Sequence, residues 1–376
     1  MSGQEFDYAI VGAGMAGASL AAELARLSGR KLRIALLEAE ERPGYHATGR
    51  SAAFWEECYG GPQIVPLTLA SGTFLRDGNF LRTRGALYIG RAADLSALER
   101  FEERFAGTGA TFRRLGRREL AGHIPGLREA WTDAIWQPDC ADIDVAALHQ
   151  HYLASAAKGG VRLLTSFNLK GLERKDEGWA LKAADGRTVV STHLVNAAGA
   201  WADAVAKLAG VPPKGIQPLR RTVVQVRVSP AVSSTLPLVL DINGGFYFKP
   251  ESGRLWLSPH DETPSDPCDA AAEEWDVALA VERLETVVDW RVMAVERRWA
   301  GLRSFAPDRL PVYGPDPADD RFIWFAGQGG FGIQTAPAAA RLLAEELVGA
   351  PRSAMTERID PAPYSASRLT LKHLET

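Results

Sequence analysis

The chain has 376 residues, 46% hydrophobic and 24% charged, with a formal net charge of −3. That length allows two domains and a large core in ordinary globular composition. The near-neutral balance speaks against a nucleic-acid partner or an anionic membrane surface, and no apolar run reaches the roughly 18 residues of a membrane helix.

Cys58, Cys140 and Cys268 are far apart and form no C-x-x-C, so the sequence predicts a reducing compartment without a disulfide framework or zinc site. The start, MSGQEFDY, has neither a basic nor an apolar signal region. A cytoplasmic protein is the expectation.

The first forty residues carry the strongest signal. Tyr8 to Val11 reads as a buried strand, Gly12, Gly14 and Gly17 spell G-x-G-x-x-G, and Ala18 to Leu27 has helical spacing. Leu32 to Leu37 is a second apolar run, ending on Glu38, 21 positions after Gly17. In this order Gly12 makes a tight turn, Gly14 admits a pyrophosphate to the backbone and Gly17 lets helix and strand pack closely. The helix N-terminus offers free N–H groups to the phosphates. Glu38 can accept ribose hydroxyls, which favours FAD or NAD over NADP.

Residues 43–61 begin with Pro-Gly and end with Gly-Gly, so they read as a loop, with a helical middle. Leu87 to Gly90 is a predicted strand, Leu95 to Ala106 a charged amphipathic helix and Arg117 to Ala121 a short helix. Asp142 or Asp144 can cap a helix running to about Ala157. The strand Val161–Thr165 and a hairpin follow, with Gly178–Ala183 and Thr188–Ser191 joined by Ala184-Asp-Gly-Arg187. His193 to Asp203 is a buried strand ending in Ala-Ala-Gly at a helix start. Thr222–Val228, Gly245–Phe248, Arg254–Leu257 and Val295–Arg303 read as strands around a helix from Ala270 to Asp289. Arg321–Ala326 is an apolar strand, and Ala336–Val348 a helix.

Between these last two, Gly327, Gly329 and Gly332 also spell G-x-G-x-x-G. No further strand or acid follows at the required distance, so a second nucleotide site is rejected. A glycine turn, or a loop approaching the same cofactor with the helix N-terminus aimed at it, remains.

Gly12-x-Gly14-x-x-Gly17 with Glu38, then Gly44-YHATGRSAA-Ala53, Val195-NAAGAWAD-Asp203, Trp299-AGLRSF-Phe305 and Gly327-QGGFGIQT-Thr335, occur in this order. Together they resemble the FAD-dependent D-amino acid oxidase/dehydrogenase family, most nearly bacterial D-amino acid dehydrogenases of the D-arginine dehydrogenase type. The resemblance covers nearly the whole chain. It implies an α/β (α+β) fold. A Rossmann-like FAD-binding domain would come from residues 1–84, 142–215 and 305–376. An interleaved substrate domain, on a large mixed or antiparallel sheet, would come from 85–141 and 216–304.

The resemblance further implies FAD held by Gly12, Ala13, Gly14, Met15, Ala16 and Gly17, by Glu38 and Ala39, and by His46, Thr48, Gly49, Arg50, Ser51 and Ala52. Ala198, Gly199 and Trp201 would join them, with Gly329, Gly330, Phe331, Gly332, Ile333, Gln334 and Thr335. It implies hydride transfer from the substrate Cα to flavin N5, giving an imino acid that hydrolyses to a 2-oxo acid and ammonia. Electrons would pass to a quinone or another acceptor. Arg303 matches the carboxylate arginine, whose planar fork suits a bidentate partner. Tyr247 would donate to the same carboxylate, and Gly330 and Gln334 would face the substrate. Of Arg220 and Arg221 only one should enter the pocket, since successive strand residues face opposite ways; family position favours Arg220. His46 would hydrogen-bond the substrate amine or a water near N5, or brace its loop.

His149, His151, His193, His260 and His123 show no convincing partners, and no metal is predicted. Sarcosine-oxidase-like members attach FAD to a cysteine near the C-terminal flavin loop. No cysteine follows Cys268, so non-covalent FAD is expected. Phe54, Trp55, Tyr59, Phe246 and Phe331 are pocket candidates, and Gly85-Ala86 and Gly244-Gly245 lack the acids that a D-arginine preference would require. Glu56 and Glu57 read as exposed, and Cys58 as a buried structural thiol. The expected substrate is a D-amino acid, with broad or apolar/aromatic preference. The alternatives are a 2-hydroxy acid or a glycine- or sarcosine-type amine, with oxidase activity open.

Overall fold

A computed structural model describes residues 4–369. Two large sheets organise them. The first has eight strands. At its centre Gln4–Val11 lies between Ile34–Leu37 and Thr188–Asn196, parallel to both. Asp319–Ala326 continues the parallel set beyond Thr188–Asn196, and Arg162–Leu164 beyond Ile34–Leu37. Antiparallel strands at Leu169–Lys175, Gly178–Ala183 and Val312–Asp316 complete it. Ile34–Leu37 is buried at every position, as expected of a strand covered on both faces.

The parallel strands all end at one edge. Val11, Leu37, Asn196 and Ala326 each hand over there to a loop carrying one of the sequence motifs. In an open parallel sheet this edge is where ligands bind. The helix Met15–Leu27 packs against Gly332–Val348 and Val145–Lys158. Its Leu20 and Leu24 are fully buried, and each contributes about 1.5–3 kcal/mol. Gly17 makes this packing possible: a Cβ there would lie 1.8 Å from the Gly12 carbonyl oxygen. Asp144 caps the Val145–Lys158 helix, accepting from Ala147 N–H.

The second sheet has ten strands, Gln328–Gly329, Arg291–Phe305, Gln217–Ser229, Arg254–Ser258, Tyr247–Glu251, Leu238–Asp241, Ala86–Arg91, Trp131–Gln137 and Arg113–Gly116 in order, with Thr263–Pro264 beside Gln217–Ser229. One face packs against the helix Glu274–Val287 around Val224, Val226, Leu284 and Val287. The other face roofs the edge described above. A small sheet of Phe54–Trp55, Ala141–Ile143 and Leu81–Thr83 joins the two units.

Several elements depart from the sequence reading. Residues 43–61 contain no helix; they run as turns around the Phe54–Trp55 strand. The helix comes after Gly60-Gly61, at Val65–Asp77, with Pro66 in its first turn, where a missing N–H costs nothing. The strand Trp131–Gln137 was not anticipated, because its apolar alternation is interrupted by Thr132 and Asp133. The last helix starts at Gly332, not Ala336, so the second glycine motif forms its first turn.

Candidate active site

Between the two sheets lies a cavity of about 550 Å³. It runs from the Gly12–Gly17 turn to the antiparallel roof. At the nucleotide end Gly12 has φ +101°, and a Cβ there would stand 2.4 Å from the Ala197 carbonyl oxygen. Only glycine suits both conditions. Glu38 sits beside this turn and accepts from Ala13 N–H at 3.1 Å and Glu40 N–H at 3.1 Å. Burial pushes its pKa up, while those N–H groups pull the other way. Thr48 Oγ1 accepts from Met15 N–H at 3.0 Å, which fixes the 44–51 loop on the helix start.

His149 has a partner that its position in sequence did not show. Its Nε2 lies 2.9 Å from the Ala13 carbonyl oxygen and therefore donates to it. A Cβ at Gly44 would come within 2.8 Å of the same ring. The imidazole is wedged between the nucleotide turn and the 44–51 loop, and burial lowers its pKa. His260 also has a partner, the Gly244 carbonyl at 2.6 Å from Nδ1. Burial, then the charges of Arg221 and Arg303, push its pKa down to about 3.

Midway along the cavity, His46 Nε2 contacts Glu40 at 2.9 Å, and its ring lies 4.7 Å from that of Trp201. Its Nδ1 is buried without a partner. Arg50 is tied to Asp269 and, at 2.8 Å, to the Ala270 carbonyl. Cys268, exposed, lies on the wall beside this loop.

The roof supplies the charged end. In the antiparallel register Leu219 faces Arg303 and Arg221 faces Gly301, so Leu219, Arg221, Gly301 and Arg303 share the cavity face. Arg220 points the other way, to Glu273 and to Asp276 at 2.9 Å. The expectation that Arg220 enters the pocket is thereby corrected in favour of Arg221. Arg221 is buried and donates to the Asp261 carbonyl at 2.9 Å. Burial, then the neighbouring Arg303, lower its pKa to about 10. Arg303 donates to Tyr59 Oη at 3.1 Å and Glu262 at 2.6 Å, and its buried Nε has no partner. Glu262 also receives Arg309 at 2.9 Å. Burial would raise the Glu262 pKa, but the hydrogen bonds and charges of Arg309 and Arg303 leave it lowered. Tyr247 is buried on the same wall, and burial raises its pKa.

Of the expected site residues, Gly12, Gly14, Met15, Ala16, Glu38, Ala39, His46, Thr48, Arg50, Ser51 and Ala52 line the cavity. So do Ala198, Gly199, Trp201, Gly329, Gly330, Gly332, Ile333, Gln334, Arg221, Tyr247 and Arg303. Ala13, Gly17, Gly49, Phe331 and Thr335 stand behind the wall and shape its loops. Thr335 Oγ1, for example, bonds the Phe331 carbonyl at 2.9 Å. Among the aromatic candidates Phe54 and Tyr59 reach the cavity. Trp55 is buried on Thr68, and Phe246 packs with Trp131 and Phe248 in the roof's far core. Gly85 is closed off by Trp136. Glu56 and Glu57 are buried, not exposed: Glu56 holds Tyr88 Oη at 2.7 Å and Cys58 N–H at 2.8 Å, and Glu57 holds Thr111 N–H at 2.5 Å. Cys58 is buried too, and burial raises its pKa. Val223 and Leu302, which line the cavity, and Glu262, bonded to Arg303 and Arg309 beside it, carry no sequence signal and were missed.

The family model described as FAD dependent oxidoreductase (DAO) matches residues 7–346, and the chain belongs to this family. It is 27% identical to glycine oxidase of Pseudomonas aeruginosa over 67% of both chains. It is also 27% identical to glycine oxidase of Geobacillus kaustophilus, over 96% of this chain and 97% of the relative. The crystal structure of glycine oxidase from G. kaustophilus superposes with a TM-score of 0.83 at 24% identity, covering 98% of this chain and 99% of that one. L-proline dehydrogenase from P. horikoshii gives 0.84 at 18% identity over 98% of each. These two likenesses establish the fold.

The protein is therefore an FAD-dependent oxidoreductase, and its residues fit the cofactor. The glycine cradle a Cβ would fill, the helix start and the Glu38 carboxylate suit an adenosine diphosphate. The unpartnered His46 Nδ1 and the Gly329–Gln334 loop line the cavity farther on. Among the described residues no helix is long and apolar enough to cross a membrane.

Proposed function

We propose that the protein oxidises small amines that carry a carboxylate, D-amino acids with apolar or aromatic side chains foremost, to imino acids that hydrolyse to 2-oxo acids and ammonia. The observation that carries this reading is the pairing of Arg303 and Arg221 on one cavity face, with Tyr247 and Tyr59 beside them. FAD, when bound, supplies the hydride acceptor. The guanidinium of Arg303 would hold both carboxylate oxygens, and its unpartnered Nε is free to take part. Tyr247 Oη would donate to the same group. Fixing the carboxylate fixes the direction of the Cα–H bond, which is the main service a side chain can offer hydride transfer.

His46 is engaged with Glu40 and lies tilted against the Trp201 ring, so it braces the loop and no general base is assigned. His260, held neutral beside two guanidiniums, is no proton acceptor either. Phe54, Val223 and Leu302 make the remaining wall apolar, which favours uncharged side chains over D-arginine. The glycine oxidase relatives support a carboxylate-bearing amine. A 2-hydroxy acid would use the same arginines and is the second reading. We place the electrons on a quinone or similar carrier rather than on oxygen, and the FAD in non-covalent form.

The test is anaerobic reduction of the yellow protein by D- and L-amino acids, glycine, sarcosine and 2-hydroxy acids, followed by admission of air. Bleaching by apolar D-amino acids with slow recolouring is expected. Bleaching only by glycine, by L-amino acids or by hydroxy acids would replace the substrate assignment, and rapid recolouring would make the enzyme an oxidase. Acid precipitation should leave the flavin in solution; a yellow pellet would implicate Cys268 on the cavity wall.

A further inference from the structure

Behind the wall formed by Phe54 and Tyr59 lies a closed polar cluster that the chemistry above does not use. Glu56 is at its centre and fully buried. Its carboxylate accepts from Tyr88 Oη at 2.7 Å and from Cys58 N–H at 2.8 Å. The Gln137 amide approaches the same carboxyl and the Cys58 thiol, yet neither its nitrogen nor its oxygen has a hydrogen bond of ordinary geometry.

The backbone of Glu56 is clamped as well. Glu56 N–H donates to Gln334 Oε1 at 3.1 Å, and Gln334 Nε2 donates to the Glu56 carbonyl at 3.2 Å and to Thr68 Oγ1 at 2.8 Å. Tyr59 N–H closes the turn on the Glu56 carbonyl at 3.2 Å. Tyr59 Oη then takes Arg303 Nη1 at 3.1 Å. A continuous set of bonds runs from the buried carboxyl, through a four-residue turn, to the proposed carboxylate anchor.

We propose that Glu56 is a positioning residue that sets Tyr59 against Arg303 and makes carboxylate binding depend on its own protonation. This rests on the reading of Arg303 given above. The groups facing Glu56 are Tyr88 from the Ala86–Arg91 strand, Gln137 from Trp131–Gln137, Cys140 just beyond it, and Cys58 and Glu57 in its own turn. No cation is among them. Burial above all raises the Glu56 pKa to about 7, against the hydrogen bonds of Tyr88, Cys58 and Gln137. Protonated, Glu56 can donate to the orphaned Gln137 oxygen and carries no charge of its own. Ionised, it holds an uncompensated charge on the far side of Tyr59 from the bound anion. In a poorly solvated interior that charge repels the ligand carboxylate.

The experiment uses the FAD-loaded enzyme and butanoate, an amine-free carboxylate, titrated by its perturbation of the visible flavin spectrum from about pH 6 to about pH 8.5, a range in which the ligand itself stays ionised. Butanoate should bind about fivefold more weakly at the upper end in wild type. Glu56→Gln should bind with the tighter constant throughout. Tyr88→Phe removes a bond that favours the ionised form, so its midpoint should move to higher pH. A wild-type slope retained in Glu56→Gln, binding weaker than wild type at every pH, or an unmoved midpoint in Tyr88→Phe would each overturn the proposal. Undiminished butanoate binding to Arg303→Lys would overturn the anchor instead, and with it the route through Tyr59.

Discussion

The two ends of the cavity are built by different means. The nucleotide end is made of backbone: glycine turns, helix-start N–H groups and one carboxylate held by two peptide N–H groups. The roof is made of side chains from strands far apart in sequence, with Arg221, Tyr247 and Arg303 meeting only through sheet register. A backbone site tolerates almost no added atom, whereas a side-chain site depends on both the charge and the planar fork of its arginines. The largest effect is therefore expected at Gly17, where a Cβ would meet the Gly12 carbonyl oxygen at 1.8 Å. Gly17→Ala should cost about 3 kcal/mol and yield colourless protein, measured as flavin absorbance per polypeptide. Yellow protein of normal stability would break the contrast.

At the roof, Arg303→Lys keeps the charge and loses the fork. It should lower kcat/KM by roughly a hundredfold, about 3 kcal/mol, mainly through weaker carboxylate binding. Arg220→Lys, one residue from Arg221 but on the face bonded to Glu273 and Asp276, should stay within about threefold. Steady-state kinetics on the best substrate from the anaerobic panel compares the two. Equal losses would mean that the register does not sort these arginines as described.

His149 belongs to the backbone end although it is a side chain, because its bond goes to the Ala13 carbonyl. His149→Ala should weaken FAD binding about tenfold, as for one buried hydrogen bond with some lost packing. His149→Gln should restore part of it. Titration of the apoprotein with FAD checks both, and an unchanged dissociation constant would remove His149 from the cofactor loops.

The same division explains what could be read beforehand. The Gly12–Gly17 turn, Glu38, the strand leading to Ala197 and the Gly329–Gly332 loop all rest on short-range rules: period, glycine spacing, strand-to-helix order. The roof depends on which residue pairs with which across a sheet. Arg220 and Arg221 are neighbours of the same type, and the strand period says only that they diverge. The partner strand decides, by setting Leu219 opposite Arg303. Phe246 and Tyr247 were likewise separable only in pairs: Phe246 joins the core under the helix Glu274–Val287, and Tyr247 lines the cavity. Glu262 carries no motif; it matters because Arg303 and Arg309 converge on it.

Glu56 shows the limit of composition rules most sharply. A Glu-Glu pair after an aromatic run reads as surface, yet Glu56 is fully buried behind Tyr59. Its folded pKa, raised to about 7, lies above the unfolded carboxylate value near 4.3. The folded state thus binds a proton more tightly than the unfolded one. Any stability from this group is fully present below the unfolded pKa and is lost as pH rises through about 7. Between about pH 6 and about pH 8 the wild type should lose about 1 kcal/mol relative to Glu56→Gln. Denaturant melts of both proteins at the two pH values measure the difference, in which all other titrating groups cancel. No difference between the two pH values would mean that Glu56 is already ionised below about pH 6 and that the cluster behind Tyr59 holds its charge as comfortably as the nucleotide end holds that of Glu38.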